Sequence, residues 1–291
     1  MFAVIGITGN TGAAVAETLL RAGKGVRALV RDAGRASRWT ARGVELVEGD
    51  AEDAGALRRL FDGAEGAYVM VPPSVTHPDP LAHYEAVGRA AAAAARATGI
   101  GRVVLLSSEG AHLPDGTGPI VGLHRAEAAL RGAARHVTFL RATYFQENWA
   151  GLLPLAEAQG VLPTMLASVD GKRAMVAAAD IGHVAAELLL EASPPEVVEL
   201  SGPEPTSPRD VAEAMGAALG RAVAPVQPPH EAWEGILTGA GVGPAYSRLL
   251  VEMYDGINAG HVRFSGDADA RRGRIGIAEN VAGWVRAKVA A

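Results

Sequence analysis

The sequence predicts an α/β protein: a doubly wound parallel sheet with helices on both faces and a smaller, partly helical subdomain on the C-terminal side. Three observations predict it. Short β-branched runs alternate with alanine-rich segments whose apolar residues recur at helical spacing. The run Val103 to Leu106 is apolar throughout, as a strand covered on both faces must be. Three glycines, Gly6, Gly9 and Gly12, stand where the first strand gives way to the first helix.

In chain order, FAVIGI, VRALV, VELVEG, AYVMV, RVVLLSS and VTFLRA read as strands. Segments 11–23, 53–62, 83–98 and 123–134 read as the helices between and after them. Strand–helix alternation at this pitch is the pattern of right-handed crossovers in a parallel sheet. The run Ala90 to Ala95 suits a helix packed close against that sheet. After about residue 150 the pattern loosens. Helical stretches near 178–192, 207–219 and 245–258 are separated by the Pro/Gly loops SGPEPTSP and PVQPPHE, and VVELSG at 197–202 suits an added strand. The expected division is a dinucleotide-binding domain over 1–150 and a substrate-side subdomain over 151–291 that shares the sheet edge.

Composition narrows the function classes. At 291 residues, 49% of them apolar, the chain can bury a sizeable core. A formal net charge of −5 gives no basic footprint for nucleic acid. Cysteine is absent, which excludes disulfides, thiolate nucleophiles and Cys-ligated metal. His77, His83 and His112 show no ligand spacing with acids, so no metal site is expected. No apolar run reaches the ~18 residues of a membrane span, and a strand starting at Phe2 leaves no room for a leader. The expectation is a cytoplasmic monomer or homodimer.

The glycines carry the chemistry. A phosphate held on the N–H groups of a helix start needs the backbone to come close, and a Cβ would block it. Thr8, Asn10 and Thr11 are short and polar, suited to bonding the loop or the phosphate. Glycines at such a turn also serve tight packing. Their position between the first strand and first helix of an alternating α/β pattern favours a dinucleotide in a Rossmann-type domain. The second strand ends at Arg31-Asp32, beside the expected adenosine ribose. An arginine there neutralises the 2′-phosphate of NADP(H), whereas an acid binds the free hydroxyl of NAD(H). Arg31 comes first, which favours NADP(H). Gly49-Asp50-Ala51 follows the third strand and suits the adenine; Val71-Pro72-Pro73 follows the fourth and suits a wall of the cleft or a rigid loop.

With these residues in place, the sequence resembles the NmrA-like branch of the atypical short-chain dehydrogenase/reductases. The matching segments are GITGNTG (6–12), RALVRD (27–32), VEGDAED (47–53), VMVPPS (69–74), VVLLSS (103–108), LRATYFQEN (140–148), VAAADIGHVAAELL (176–189) and ELSGPEPTSPRDVAEAMGAALGR (199–221). The resemblance implies a Rossmann-type domain with a small C-terminal subdomain and NADP(H) or NAD(H) in the cleft. Its members include reductases of quinones and other aromatic compounds, and also cofactor-sensing regulators without turnover.

Catalytic short-chain reductases use a Tyr as proton donor, a Lys four residues later, and a Ser that orients the carbonyl. Ser107 and Ser108, at the end of the fifth strand, fill the Ser position. If Glu127 matches the acid that follows the Lys, then Leu123 stands in the Lys position and Pro119 in the Tyr position. Neither does proton chemistry. Two substitutes present themselves, each with a plainer alternative: His124 as an acid or a surface histidine, and Tyr144 as a donor or a packed ring. Glu147 and Asn148 suit the substrate side or a cap. Trp233, Tyr246, Met253, Tyr254 and Phe264, with Trp149 and Met165, suit an apolar pocket or subdomain core.

A missing Tyr–Lys pair does not forbid reduction, because hydride transfer is the cofactor's chemistry. A quinone, or a carbonyl bonded to a neighbouring phenol, is already activated. The sequence therefore predicts an NADPH-dependent oxidoreductase acting on a small hydrophobic aromatic ketone or quinone. The Ala, Gly and Arg usage is that of a high-GC bacterial proteome, which extends the reading to an aromatic polyketide tailoring step, reductive or oxygen-consuming after reduction. The alternative is a sensor that binds NADP(H) without turnover.

Overall fold

The computed structural model describes residues 1–289. Eight strands form its centre: β1 Phe2–Ile5, β2 Val26–Val30, β3 Glu45–Glu48, β4 Gly66–Val69, β5 Arg102–Ser108, β6 His136–Ala142, β7 Val197–Ser201 and β8 Asp269–Arg272. Their order across the sheet is β8-β7-β6-β5-β4-β1-β2-β3, with every neighbouring pair parallel. The order reverses direction at β1 and β4. Adjacent crossovers depart there to opposite faces and leave a crevice at the strands' carboxyl ends.

Helices cover both faces. On one lie α1 (Asn10–Arg21) and α5 (Ala178–Leu190); on the other lie α2 (Ala54–Phe61), α3 (Pro80–Thr98) and α4 (Ile120–Leu130). Strand alternation divides the core accordingly. Phe2 and Val4 pack with Val15, Leu19 and Leu188, while Ala3 and Ile5 pack with Leu57, Leu60 and Ala91. Small residues let these helices approach at backbone distance. A Cβ on Gly182 of α5 would fall 2.8 Å from the Thr11 carbonyl oxygen, so α5 clamps the start of α1. Gly88 of α3 faces Ala126 of α4 in the same way, at 2.8 Å. The alanine run behaves as its sequence predicts: Ala91, Ala92, Ala94 and Ala95 are buried between the sheet and its neighbouring helices.

The second half of the chain feeds the same sheet. It supplies β7, β8 and α5, and it builds a third core around Trp149, Leu162, Met175, Val211, Met215 and Val281. Helices α6 (Pro208–Leu219), α7 (Pro244–Asn258) and α8 (Ile277–Val289) belong to this half. Two boundaries differ from the sequence reading. β1 stops at Ile5 because Gly6 turns into the left-handed region at φ +82°. α3 starts at Pro80 because the Asp79 carboxylate caps it, accepting from the Ala82 N–H at 3.0 Å.

Candidate functional site

The crevice opens at the glycine turn, and its three glycines have different physical reasons. Gly6 has positive φ, and a Cβ there would also lie 2.9 Å from the Met70 sulfur. At Gly12 a Cβ would lie 2.3 Å from the Gly6 carbonyl oxygen, so this position must be bare for α1 to reach β1. Gly9 is different. Its backbone is extended, at φ −99° and ψ −179°, and a Cβ would meet nothing closer than 3.5 Å. Nothing in the chain requires a glycine at this exposed position. The first turn of α1 has no side-chain cap and no acid. The helices α2, α3 and α6 are capped by Asp53, Asp79 and Ser207, whereas α4, α5 and α7, like α1, have no capping side chain. An uncapped helix start behind a bare backbone is a cradle that a Cβ would fill and an anion would satisfy.

Thr8 and Asn10 are exposed at this mouth. Thr11 is buried, and its hydroxyl accepts from the Tyr68 phenol at 2.9 Å, so it anchors the loop to β4.

One cleft brings together Gly6, Thr8, Arg31, Asp32, Asp50, Ala51, Pro72 and Pro73. Val71 lies beneath it in the α2–α3 core. The second-strand ambiguity has a local resolution. The Asp32 carboxylate accepts from the Gly34 N–H at 2.8 Å and caps the short turn Ala33–Ala36. Arg31 is exposed, and Arg35, one turn on, lines the same cleft. Two arginines, Arg31 and Arg35, therefore line the same end of the cleft. Asp50 folds its carboxylate back onto the Glu52 N–H at 3.0 Å, holding the Gly49–Glu52 turn. Sequence reasoning missed Arg35, Glu52, Ser74 and His83 as cleft residues. Arg35 was visible as a second base after β2; the other three carry no local signal.

The proposed proton donors are dispersed. Ser107 and Ser108 end β5 with side chains on opposite faces. The buried Ser107 hydroxyl donates to Glu127 at 2.6 Å, and Glu127 is held by Arg141 at 2.7 and 3.0 Å. Ser108 is half-buried and lies outside that network. Leu123 and Pro119 stand on and before α4, one turn and two turns ahead of Glu127. His124 is not in the glycine cleft. It lines a groove between α3 and α4 with Glu85, Arg89 and Arg125, with Nδ1 2.9 Å from the Ala111 carbonyl oxygen.

Tyr144 follows β6. Its hydroxyl lies 3.0 Å from that of Tyr254, and the Arg173 guanidinium carbon sits 5.6 Å from its ring centroid. Burial pushes both phenols up, and Arg173 opposes this. Arg173 also donates to Glu109 at 2.6 Å, and Glu109 accepts from the Tyr144 N–H at 3.2 Å. Burial raises the Glu109 carboxyl above its ordinary range, against the pull of Arg173. Glu147 accepts from Asn280 and from the Ala178 N–H at the head of α5, while Asn148 is exposed. Trp149, Trp233 and Tyr246 are buried; Met165, Met253, Tyr254 and Phe264 are partly so. Among the described residues no group of three or more His, Asp or Glu is placed to hold a metal, and no helix is long and apolar enough to cross a membrane.

The chain is similar to known proteins along its length. An NAD(P)H azoreductase from Xenophilus azovorans is 28% identical over 258 residues, covering 87% of this chain and 86% of that one. The structure of an NADPH-dependent quinone oxidoreductase from Escherichia coli, solved with NADPH, superposes with TM-score 0.79 at 23% identity over 97% of this chain and 99% of that one. The negative transcriptional regulator NmrA superposes with TM-score 0.66 at 20% identity over 90% and 84%. Residues 1–264 match the model of the NmrA-like family, and the chain belongs to that family.

Proposed function

We propose that this protein is an NAD(P)H-dependent oxidoreductase that binds NADP(H) along the crevice from β2 to β6 and reduces a flat, hydrophobic aromatic ketone or quinone. The observation that carries the reading is Gly9: a glycine the fold does not need, at a helix start without a side-chain cap, next in the chain to Thr8, which lines the cleft that also holds Arg31 and Arg35. The same chemistry is named for relatives that reduce azo compounds and quinones with NAD(P)H or NADPH.

When bound, the nicotinamide supplies the hydride. The chain's own work is positional. The α1 start receives the diphosphate, with Thr8 and Asn10 at its mouth. Arg31 and Arg35 take the 2′-phosphate. Asp50, Ala51, Pro72 and Pro73 wall the adenosine. At the other end of the crevice the Ser108 hydroxyl is available to the substrate oxygen, while Ser107 fixes the end of β5 through Glu127 and Arg141. With the Tyr144 phenol buried against Tyr254, where burial makes it a poorer acid, and His124 turned to another face, the proton comes from solvent. That suits an oxygen whose negative charge is already delocalised.

A second reading, an NADP(H) sensor without turnover, is favoured by those same engaged side chains. NADPH oxidation followed at 340 nm with a panel of simple quinones, polycyclic aromatic quinones and an azo dye separates the two. Turnover with any member supports the oxidoreductase. Micromolar NADPH binding with no consumption across the panel supports the sensor.

A further inference from the structure

His83 lies in the first turn of α3, 8% exposed, behind the adenosine end of the cleft. Its Nδ1 is 2.5 Å from a Glu52 carboxylate oxygen, and its Nε2 is 2.8 Å from the Pro72 carbonyl oxygen. Both partners are acceptors. A neutral imidazole has one N–H and one lone pair, so it can satisfy only one of them. Against an ionised Glu52, the ring meets both only with a proton on each nitrogen. Its two partners belong to the two loops that wall the cleft: Asp50-Ala51-Glu52 after β3 and Pro72-Pro73-Ser74 after β4. A single proton therefore ties those walls together.

Other charged or titratable groups approach from each side. From the Pro72–Asp79 loop come the His77 ring, 5.7 Å away, and Asp79, which caps α3. From α3 itself comes Tyr84, edge-on at 6.0 Å. Across the cleft stand Arg31, Asp32, Arg35 and Asp50. The carboxylate in hydrogen-bonding contact with the ring is that of Glu52.

We propose that His83 is a positioning residue for the dinucleotide: held as an imidazolium between Glu52 and the Pro72 carbonyl, it sets the spacing of the two adenosine-binding loops, and its deprotonation loosens them and weakens cofactor binding. The inference rests on the cofactor reading above, but not on turnover or on any substrate. Once the ring loses a proton, a lone pair faces either the carboxylate or the carbonyl, and that wall contact opens. The loss of one such hydrogen bond corresponds to roughly a three- to tenfold weaker Kd.

The test is the NADPH dissociation constant of the full chain from pH 6 to 9.5, for wild type, Glu52→Gln and His83→Gln, with folding checked by thermal melts at each pH. Comparison on one ligand cancels the titration of the 2′-phosphate. Wild type weakens as pH rises. In Glu52→Gln the amide N–H donates to Nδ1 of a neutral ring while Nε2–H still serves Pro72, so binding stays tight and flat with pH. His83→Gln reaches only one partner and is weaker at all pH values, also flat. In the ligand-free protein, the ring 15N shifts of His83 change from doubly to singly protonated over the range in which wild-type affinity falls. A Glu52→Gln variant that keeps the wild-type pH dependence overturns the proposal, as does a His83 ring that is singly protonated throughout. No NADPH binding by folded wild type at any pH would instead refute the cofactor reading, while the 15N shifts would still report the state of the ring.

Discussion

Two glycines three residues apart are expected to fail in opposite ways. In Gly12→Ala the new methyl lies 2.3 Å from the Gly6 carbonyl oxygen and 3.0 Å from that of Ile5, both backbone atoms at the end of a central strand. Neither can rotate away, so overpacking of about 3 kcal/mol follows. Better helix propensity returns up to about 1 kcal/mol. The net, about 2 kcal/mol, corresponds to a fall in melting temperature of roughly 3 °C for a chain of this size. Gly9→Ala meets nothing closer than 3.5 Å, and its backbone angles suit any residue. Its stability stays within about 0.5 kcal/mol of wild type. Its NADPH affinity, measured by titration calorimetry, falls at least tenfold, or about 1.4 kcal/mol, because the methyl occupies the approach to the α1 N–H groups. Wild-type affinity in Gly9→Ala would refute the assignment of that helix start to the diphosphate. A melting temperature lowered as far as in Gly12→Ala would show that Gly9 serves packing after all.

Arg31→Ala and Arg35→Ala each weaken NADPH by roughly 10- to 100-fold, the worth of a charge-assisted bond to phosphate, and leave NADH within threefold; equal losses for both ligands would remove the 2′-phosphate from the argument. Ser107→Ala lowers stability by about 1–2 kcal/mol in chemical denaturation, since a buried hydroxyl leaves the Glu127–Arg141 pair, whereas Ser108→Ala keeps its melting temperature and loses kcat with an active quinone. Burial raises the Glu147 carboxyl, despite its bonds to Asn280 and the Ala178 N–H. The folded state therefore holds that proton more tightly than the unfolded chain, and stability supplied by the proton is full below the ordinary carboxylate range and lost as pH rises through and above it. Denaturation of Glu147→Gln across pH 4 to 8 should show the variant gaining on wild type as pH rises; a constant difference would place the carboxyl at its ordinary value.

β1, β2, β4, β5 and β6 and the helices that cover them were legible because burial on both faces forces apolar runs, and backbone-close helix packing forces Gly and Ala at helical spacing; β3, at one edge of the sheet, showed only the apolar pair Leu46–Val47 between glutamates. β8 was not legible: its sequence DARR holds one apolar residue, because an edge strand needs only backbone pairing with β7. The cleft residues just after strands β1 to β4 were legible for a topological reason, since a doubly wound sheet gathers those strand ends on one rim. His83 enters that rim from the start of α3, and no spacing in the sequence relates it to the glycines. Asp32 beside Arg31 left the cofactor ambiguous in sequence; the structure assigns the carboxylate to its own turn.

The same geometry explains why the vacant Tyr and Lys positions need not disable the protein. Glu127 is 3% exposed, and a buried carboxylate must be paired. Arg141 from β6 is that partner, and Ser107 completes the set. A lysine at position 123, one turn away on the same helix, would bring a second cation close to a carboxylate already satisfied, where Leu123 instead packs between the α3 core and the small cluster around Ile120. The chain has committed this corner of the site to holding β5, β6 and α4 in register rather than to supplying a proton. A substrate reduced here must then be one whose reduced oxygen survives as an anion until water reaches it. That criterion selects quinones, whose reduced oxygen is a phenolate, and carbonyls hydrogen-bonded to a neighbouring phenol that can hand over its proton, and it rejects simple aliphatic ketones. Cyclohexanone should give no NADPH oxidation under conditions where a quinone turns over, and its reduction at a comparable rate would require a proton donor that none of Ser107, His124 and Tyr144, as bonded here, provides.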